Sequence, residues 1–413
     1  PADGLRQVFT DGPGIILDRR SAPSEEAALN AAEELIVTPF DLFAEAPWRL
    51  TLYSCGKGVH ILVMVMHHMV SDAWSTAIMG NDLAVLYAAD TGETGSSPAL
   101  PQNALGYGDF AVWLREVAES GIWNKDLGYW QDMLAGPPPA LELPADRSRP
   151  AVHDGRGASV GVTLPATVRQ RVMDLAAKSD ATPFIVVLTA FQIVLAQWSA
   201  QRDFCVGTPV AGRLHPAFDD TVGYFSNTLA LRTDLAGEPT FHEAVSATKA
   251  RVLDALAHQN APFEQVVEAL APVRDLSRHP LFQVAFTLEP AHKGGEPMQG
   301  VSVRRMAHDA GTAKFDLSLL LVDNDDSIAG VCEYSTALFE EKTARRLVDA
   351  LVAFLSDVDA TGSVFDVPIP GPVEGASVAF DEHRSEKALS ACQGSRIEEV
   401  VSGIRDACGE RIA

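Results

Sequence analysis

Positive charge is what this 413-residue sequence has least of. Lys and Arg number 32 against 55 Asp and Glu, a net charge of -23. That balance speaks against nucleic acid as a partner, because a phosphate backbone is bound through a Lys/Arg surplus. Cysteine is scarce and unpatterned. Cys55, Cys205, Cys332, Cys392 and Cys408 are scattered, odd in number and free of any C-x-x-C spacing. A disulfide framework and a zinc knuckle are therefore not expected, and a reducing compartment, the cytoplasm, is. No signal peptide opens the chain. The longest apolar run, "PFIVVLTAFQIVLAQW" (183–198), is broken by Gln192 and Gln197. It falls short of the ~20 residues that a membrane span needs, so a buried helix and no membrane partner are expected. Phosphate loops of the G-x-x-x-x-G-K-[ST] and G-x-G-x-x-G kinds are missing, and so is a G-x-S-x-G nucleophile elbow.

What is present is a globular composition, 47% hydrophobic and 21% charged, on a chain long enough for roughly two domains of ~200 residues. Strand and helix patterns alternate in two halves. In the first, "RLTLYS" and "VHILVMVM" read as strands, followed by a helix from Ala73 to about Ala88. "YGDFAVWLREVAES" and "LGYWQDMLAG" read as helical, and the proline-rich "GPPPALELPADRSRP" as an extended crossover. In the second half "ASVGVTLP", "DFCVGTPV", "LFQVAFTLEP", "KFDLSLLLVD" and "IAGVCEYS" read as strands. Helices are expected at "ATVRQRVMDLAAKS", after Asp180 or Thr182 with Pro183 in the first turn, at "FHEAVSATKARVLDALAHQ", and over 338–358. These patterns give an α/β, layered α+β pseudo-dimer. Its expected divisions are 1–150 with the crossover, 151–366, and a linker with a short amphipathic tail at 367–413. "GLRQVF" (4–9) reads as a further strand.

The concentrated chemistry lies in "VMVMHHMVSDAWS" (63–75), where a strand ends in two adjacent histidines and an aspartate follows. Neighbours on an extended segment point to opposite faces, so His67 and His68 would not easily share one metal ion. Two readings stay open on the residues alone. In one, a histidine is a satisfied core group and Asp72 caps the helix at Ala73. In the other, one imidazole is bonded to structure while the second faces a cavity and accepts a proton, as a group titrating near ~6.5 can. First-turn N–H groups of the Ala73 helix would then stabilise an oxyanion. A base without a nucleophile suits direct acyl transfer between two bound substrates.

"HHMVSDAWS" resembles the H-H-x-x-x-D-G signature of the condensation (C) domains of nonribosomal peptide synthetases, relatives of chloramphenicol acetyltransferase. It is joined in that family's order by "GLRQVF", "PFDLFAEAPWRLTL", "YGDFAVWLRE", "YWQDMLAGPPPALELPADRSRP", "VGYFSNTLALR", "HQNAPFEQVVEAL" and "RDLSRHPLFQVAFTLEP". The resemblance implies two acetyltransferase-like subdomains in a V shape with a central tunnel. It implies peptide-bond formation, by attack of an acceptor aminoacyl thioester's amine on a donor acyl or peptidyl thioester. Both would arrive on phosphopantetheine arms of peptidyl carrier domains, with no cofactor or metal bound by the domain itself.

By position, the resemblance makes His68 the catalytic group, as base or as the positioner of the amine. His67 and Asp72 would be structural, Asp72 through an ion pair with Arg6, Arg232 or Arg278. An intact double histidine and the form of "GYFSNTLALR" resemble the condensing type, over the epimerising, heterocyclising and oxidase-recruiting branches. An ester-forming enzyme with an alcohol acceptor, or a non-catalytic docking platform, are the alternatives. Three departures stand out. Ala73 occupies the place of the family's Gly, adding a methyl near the substrate. The family's opening segment is not seen ahead of Gly4. The tail "SRIEEVVSGIRDACGERIA" resembles the first helix of an adenylation domain, the neighbour expected in the same polypeptide.

Overall fold

A computed structural model describes Val8 and residues 16–372, except 92–99, 101–104, 137–138, 272–274, 292–299, 305, 307, 308, 310 and 325. The strand expected at 4–9 and the tail expected from 373 onward lie outside the described residues, Val8 apart.

The chain begins with β1 (Leu17–Ser21), α1 (Glu25–Val37), β2 (Trp48–Ser54) and β3 (His60–Met66). These strands form a three-stranded sheet in which β1 runs parallel and β3 antiparallel to β2. Ser24 caps α1 by accepting the Ala27 N–H at 3.1 Å. Ala28 and Ala32, one turn apart, bury the helix against Tyr53 and Val63 of the sheet. Next come α2 (Ala73–Asp90), α3 (Tyr107–Ser120) and α4 (Asn124–Met133). Phe110 of α3 makes a small separate core with Phe218 and Phe225, far along the chain.

The second half holds β4 (Gly157–Leu164), α5 (Ala166–Lys178), α6 (Pro183–Ser199), β5 (Asp203–Val210), β6 (Asn227–Asp234), α7 (Phe241–Ala257) and α8 (Phe263–Leu270). It finishes with β7 (Val284–Pro290), β8 (Leu317–Asp323), β9 (Ile328–Ser335) and α9 (Glu341–Asp357). Its six-stranded mixed sheet has the order β4-β9-β8-β7-β5-β6. Alternation sends Val160, Val162 and Leu164 of β4 into the core beside Leu317, Leu319 and Leu321 of β8. The apolar run at 183–198 is α6, which starts on a Thr182 cap with Pro183 at its first position. Apolar on every side, it can only be central, and its length from Ile185 to Ala196 is buried between the sheet and α5, α7 and α9. Each large side chain so buried contributes about 1.5–3 kcal/mol. Among the described residues no single helix is long and apolar enough to cross a membrane.

Among the described residues the expected elements of both halves are present. Four that the patterns did not announce, β1, α1, β6 and α8, complete the two sheets and their covers. The crossover does more than connect. Trp130 and Leu134 at the end of α4, with Leu141 and Leu143 beyond it, are buried in the larger core. Arg149 then clamps Asp316 with both terminal guanidinium nitrogens.

Candidate active site

The two histidines mark the point where β3 stops being a strand. The His67 N–H donates to the Pro47 carbonyl (2.8 Å), the last tie to the sheet edge, and a single 3-10 turn, His68–Val70, follows. His67 caps that turn: its Nδ1 accepts the Met69 N–H at 3.2 Å, so its proton sits on Nε2. His68 has the opposite tautomer. Its Nδ1 lies 2.7 Å from the Ser71 carbonyl oxygen. A carbonyl can only accept, so Nδ1 carries a proton, and in the neutral imidazole the lone pair is on Nε2. The His68 side chain is exposed while His67 is half-buried beside Phe40. Adjacent residues thus do different work, one closing a turn and one presenting a basic nitrogen.

Asp72 is the N-cap of α2, accepting the Ser75 N–H through Oδ1 at 2.7 Å. Its other oxygen accepts the Phe225 N–H at 3.0 Å, from the segment linking β5 to β6. The ion pair expected for Asp72 exists with a different arginine. Arg213 approaches it at 3.5 Å, with side-chain exposures of 3% for the arginine and 1% for the aspartate. Arg213 also donates to the carbonyls of Phe218 and Thr221 and to Ser75 Oγ, and its guanidinium lies over the Phe225 ring at 4.2 Å. Burial pulls the guanidinium below its ordinary pKa, against the opposing pull of Asp72.

Two of the three arginines expected for this role are engaged elsewhere. Arg232 binds Asp203 through two nitrogens, at 2.8 and 2.7 Å, and donates to the carbonyls of Met133, Ala135 and Gly136. Its position in β6, opposite Cys205, sets it diagonally beside Asp203 on the neighbouring strand. Arg278 pairs with Glu142 and with Asp275. Arg6 lies outside the described residues. Arg213 carried no motif; its only local signal is the preceding Gly212. That glycine has φ +62, and a Cβ there would strike the Phe225 carbonyl oxygen at 1.9 Å, so the chain is pressed against residue 225.

Ala73 is the first residue of α2, exposed, and is not among the described residues with positive φ. Its methyl therefore strains nothing in the backbone. As the helix start, it leaves the Ala73 and Trp74 N–H groups outside the intrahelical ladder. Ser75 ties the corner further: its hydroxyl donates to the Gly223 carbonyl (2.8 Å) and accepts the Gly223 N–H (3.0 Å). Tyr107 of α3 supports the same segment by donating to the Tyr224 carbonyl at 2.8 Å. Tyr224 and Tyr107 are both pushed above the ordinary phenol pKa, chiefly by burial. Among the described residues no group of three or more His, Cys, Asp or Glu is placed to hold a metal ion.

Comparison with known proteins points the same way. A family model described as "Condensation domain" matches residues 14–366. The phosphinothricin tripeptide synthetase PhsC of Streptomyces viridochromogenes is 39% identical over 370 residues, covering 87% of this chain and 34% of that protein. A linear gramicidin synthase of Brevibacillus parabrevis is 34% identical over 396 residues, 94% of this chain and 8% of that protein. The chain thus spans about a third or less of these relatives. Among solved structures, the X-domain from teicoplanin biosynthesis superposes with a TM-score of 0.80 at 28% identity, covering 89% of this chain and 84% of that one. The fold is that of the condensation domains, mixed α/β with two chloramphenicol-acetyltransferase-like subdomains.

Proposed function

The chain belongs to the condensation-domain family, and from that premise we propose that it forms a peptide bond between two carrier-bound thioesters. The donor is an acyl or peptidyl thioester and the acceptor an aminoacyl thioester, each on the phosphopantetheine arm of a peptidyl carrier domain. An adjacent adenylation domain of the same polypeptide would load the acceptor carrier, in the cytoplasm. One observation carries the reading: His68 is exposed, and its Nδ1–H bond to Ser71 leaves Nε2 as a proton acceptor.

The step then balances as follows. The acceptor nitrogen attacks the donor carbonyl carbon, and its proton passes to His68 Nε2. The resulting imidazolium keeps its Nδ1–H bond to the Ser71 carbonyl, which strengthens with the charge. The oxyanion is stabilised by the Ala73 and Trp74 N–H groups at the positive end of α2, where the N-cap carboxylate of Asp72 limits how much more charge that end accommodates. Collapse breaks the carbon–sulfur bond, and the proton returns from Nε2 to the departing thiolate. Arg213, Asp72 and Ser75 hold the two halves of the chain together around this atom. The hydroxyls of the corner, Ser71 and Ser75, are buried and hydrogen-bonded, so neither is offered as a covalent nucleophile, in keeping with direct transfer.

The docking-platform reading would leave the Nε2 lone pair without a use. An assay separates the two: donor and acceptor carriers loaded with defined residues, with the dipeptidyl thioester sought on the acceptor carrier. Product with the wild type and its loss in His68→Ala support condensation. No product with any carrier pair favours the platform, and an ester from a hydroxyacyl acceptor alone favours the alcohol-accepting alternative.

A further inference from the structure

The His68 ring has a neighbour to which no role has yet been given. The ring of Tyr224 stands 5.0 Å from it, centroid to centroid, with the planes at 78°. This contact joins two distant parts of the chain, and its geometry is held on both sides. The backbone around Tyr224 is fastened to the start of α2 by the two Ser75–Gly223 bonds and by the Phe225 N–H on Asp72. Behind it, Tyr107 Oη bonds the Tyr224 carbonyl, and a Cβ at Gly223 would strike the Tyr107 ring at 2.2 Å. The main chain beside the phenol is thus tied to the start of α2 and to α3.

We propose that Tyr224 is a positioning residue for the transfer, bracing the His68 imidazole edge-to-face so that Nε2 stays presented. The inference rests on the reading of His68 as the proton acceptor. The Ser71 bond fixes one point of the imidazole and leaves the ring free to tilt; an aromatic wall removes that freedom. Edge-to-face pairs at this separation attract beyond simple burial. Holding the nitrogen that takes the proton acts on the transfer step rather than on carrier binding. The ring supplies this effect, not the hydroxyl.

The test uses the full chain with both loaded carriers and the variants Tyr224→Phe, Tyr224→Leu and His68→Ala. Tyr224→Phe should keep kcat within about twofold, while Tyr224→Leu lowers kcat about 2- to 12-fold at unchanged KM for the acceptor carrier. A second readout needs no turnover: nitrogen-15 spectra of the imidazoles. His68 should appear as the Nδ1–H tautomer in the wild type and in Tyr224→Phe, and shift toward a tautomer average in Tyr224→Leu. A leucine variant with wild-type kcat and an unmoved nitrogen-15 pattern overturns the proposal, as does a phenylalanine variant as impaired as the leucine one. If His68→Ala turns over like the wild type, the base reading fails and Tyr224 falls with it. If His68→Ala is silent while Tyr224→Leu is unchanged, only the role of Tyr224 fails.

Discussion

Replacing Asp72 and Arg213 singly and together tests how the corner is braced. Both side chains are almost wholly buried, and the carboxylate has three partners: the Ser75 N–H, the Phe225 N–H and Arg213. Asp72→Ala removes the cap of α2 and leaves the guanidinium buried without its counter-charge. Breaking a buried pair this way costs about 3–5 kcal/mol, a large part of a stability of about 5–15 kcal/mol. Arg213→Ala leaves Asp72 with two N–H donors, so its cost should lie near the lower end of that range. Because the two losses overlap, the double variant should be less destabilised than their sum by about 1–3 kcal/mol. Arg232→Ala is the control. It breaks the clamp on Asp203, yet combined with Asp72→Ala its cost should add within about 0.5 kcal/mol. Urea denaturation followed by circular dichroism measures all five variants. Additive losses for Asp72 and Arg213, or coupling of Asp72 to Arg232, would refute the assignment.

Three further outcomes follow from other parts of the molecule. Asn227 donates through Nδ2 to the carbonyls of Gln259 and Ala261 and accepts the N–H groups of Phe263 and Thr228. Asn227→Asp would set a carboxylate oxygen against two carbonyls and should cost about 3 kcal/mol or more in denaturant unfolding, with Asn227→Ser costing less. His279, packed among Phe263, Phe282 and Phe315, has its pKa pulled down by burial first and by His153 in addition. Its folded-state pKa lies below its unfolded value of about 6.5, so the unfolded chain binds the proton more readily. Stability is full above that value and declines as pH falls from it through the folded pKa; thermal melts across pH should show the decline in the wild type and a weaker one in His279→Phe. Ala73→Gly restores the residue expected from the family pattern. Because Ala73 already sits at a helix start without positive φ, the change should lower stability by about 0.5–1 kcal/mol and bring no gain in kcat.

How much of this could be read from the chain alone divides along physical lines. Periodicity carried the long elements: α6 announced itself by its cap, its proline and an apolar surface on every side. α1 went unread although Ser24 and the acidic pair Glu25 and Glu26 mark its start, because its alanine-rich face has little hydrophobic contrast. The histidine corner was local, so its strand, turn and cap followed from thirteen residues. The partner of Asp72 was not local. Arg213 is 141 residues away, and closing a motif, the criterion that favoured Arg232, says nothing about which way a strand residue faces. β6 points Arg232 at Asp203 on the adjacent strand. Only the topology, which folds the β5–β6 connection back over the start of α2, delivers Arg213, Phe225 and Tyr224 to one corner.

The most direct test of the account is the single-turnover rate of peptide-bond formation between two loaded carriers, measured for the wild type and His68→Ala at one pH. If His68 Nε2 takes the proton, the variant should be slower by about 10²- to 10⁴-fold while still binding both carriers. A rate in His68→Ala within a few-fold of the wild type would contradict the central claim.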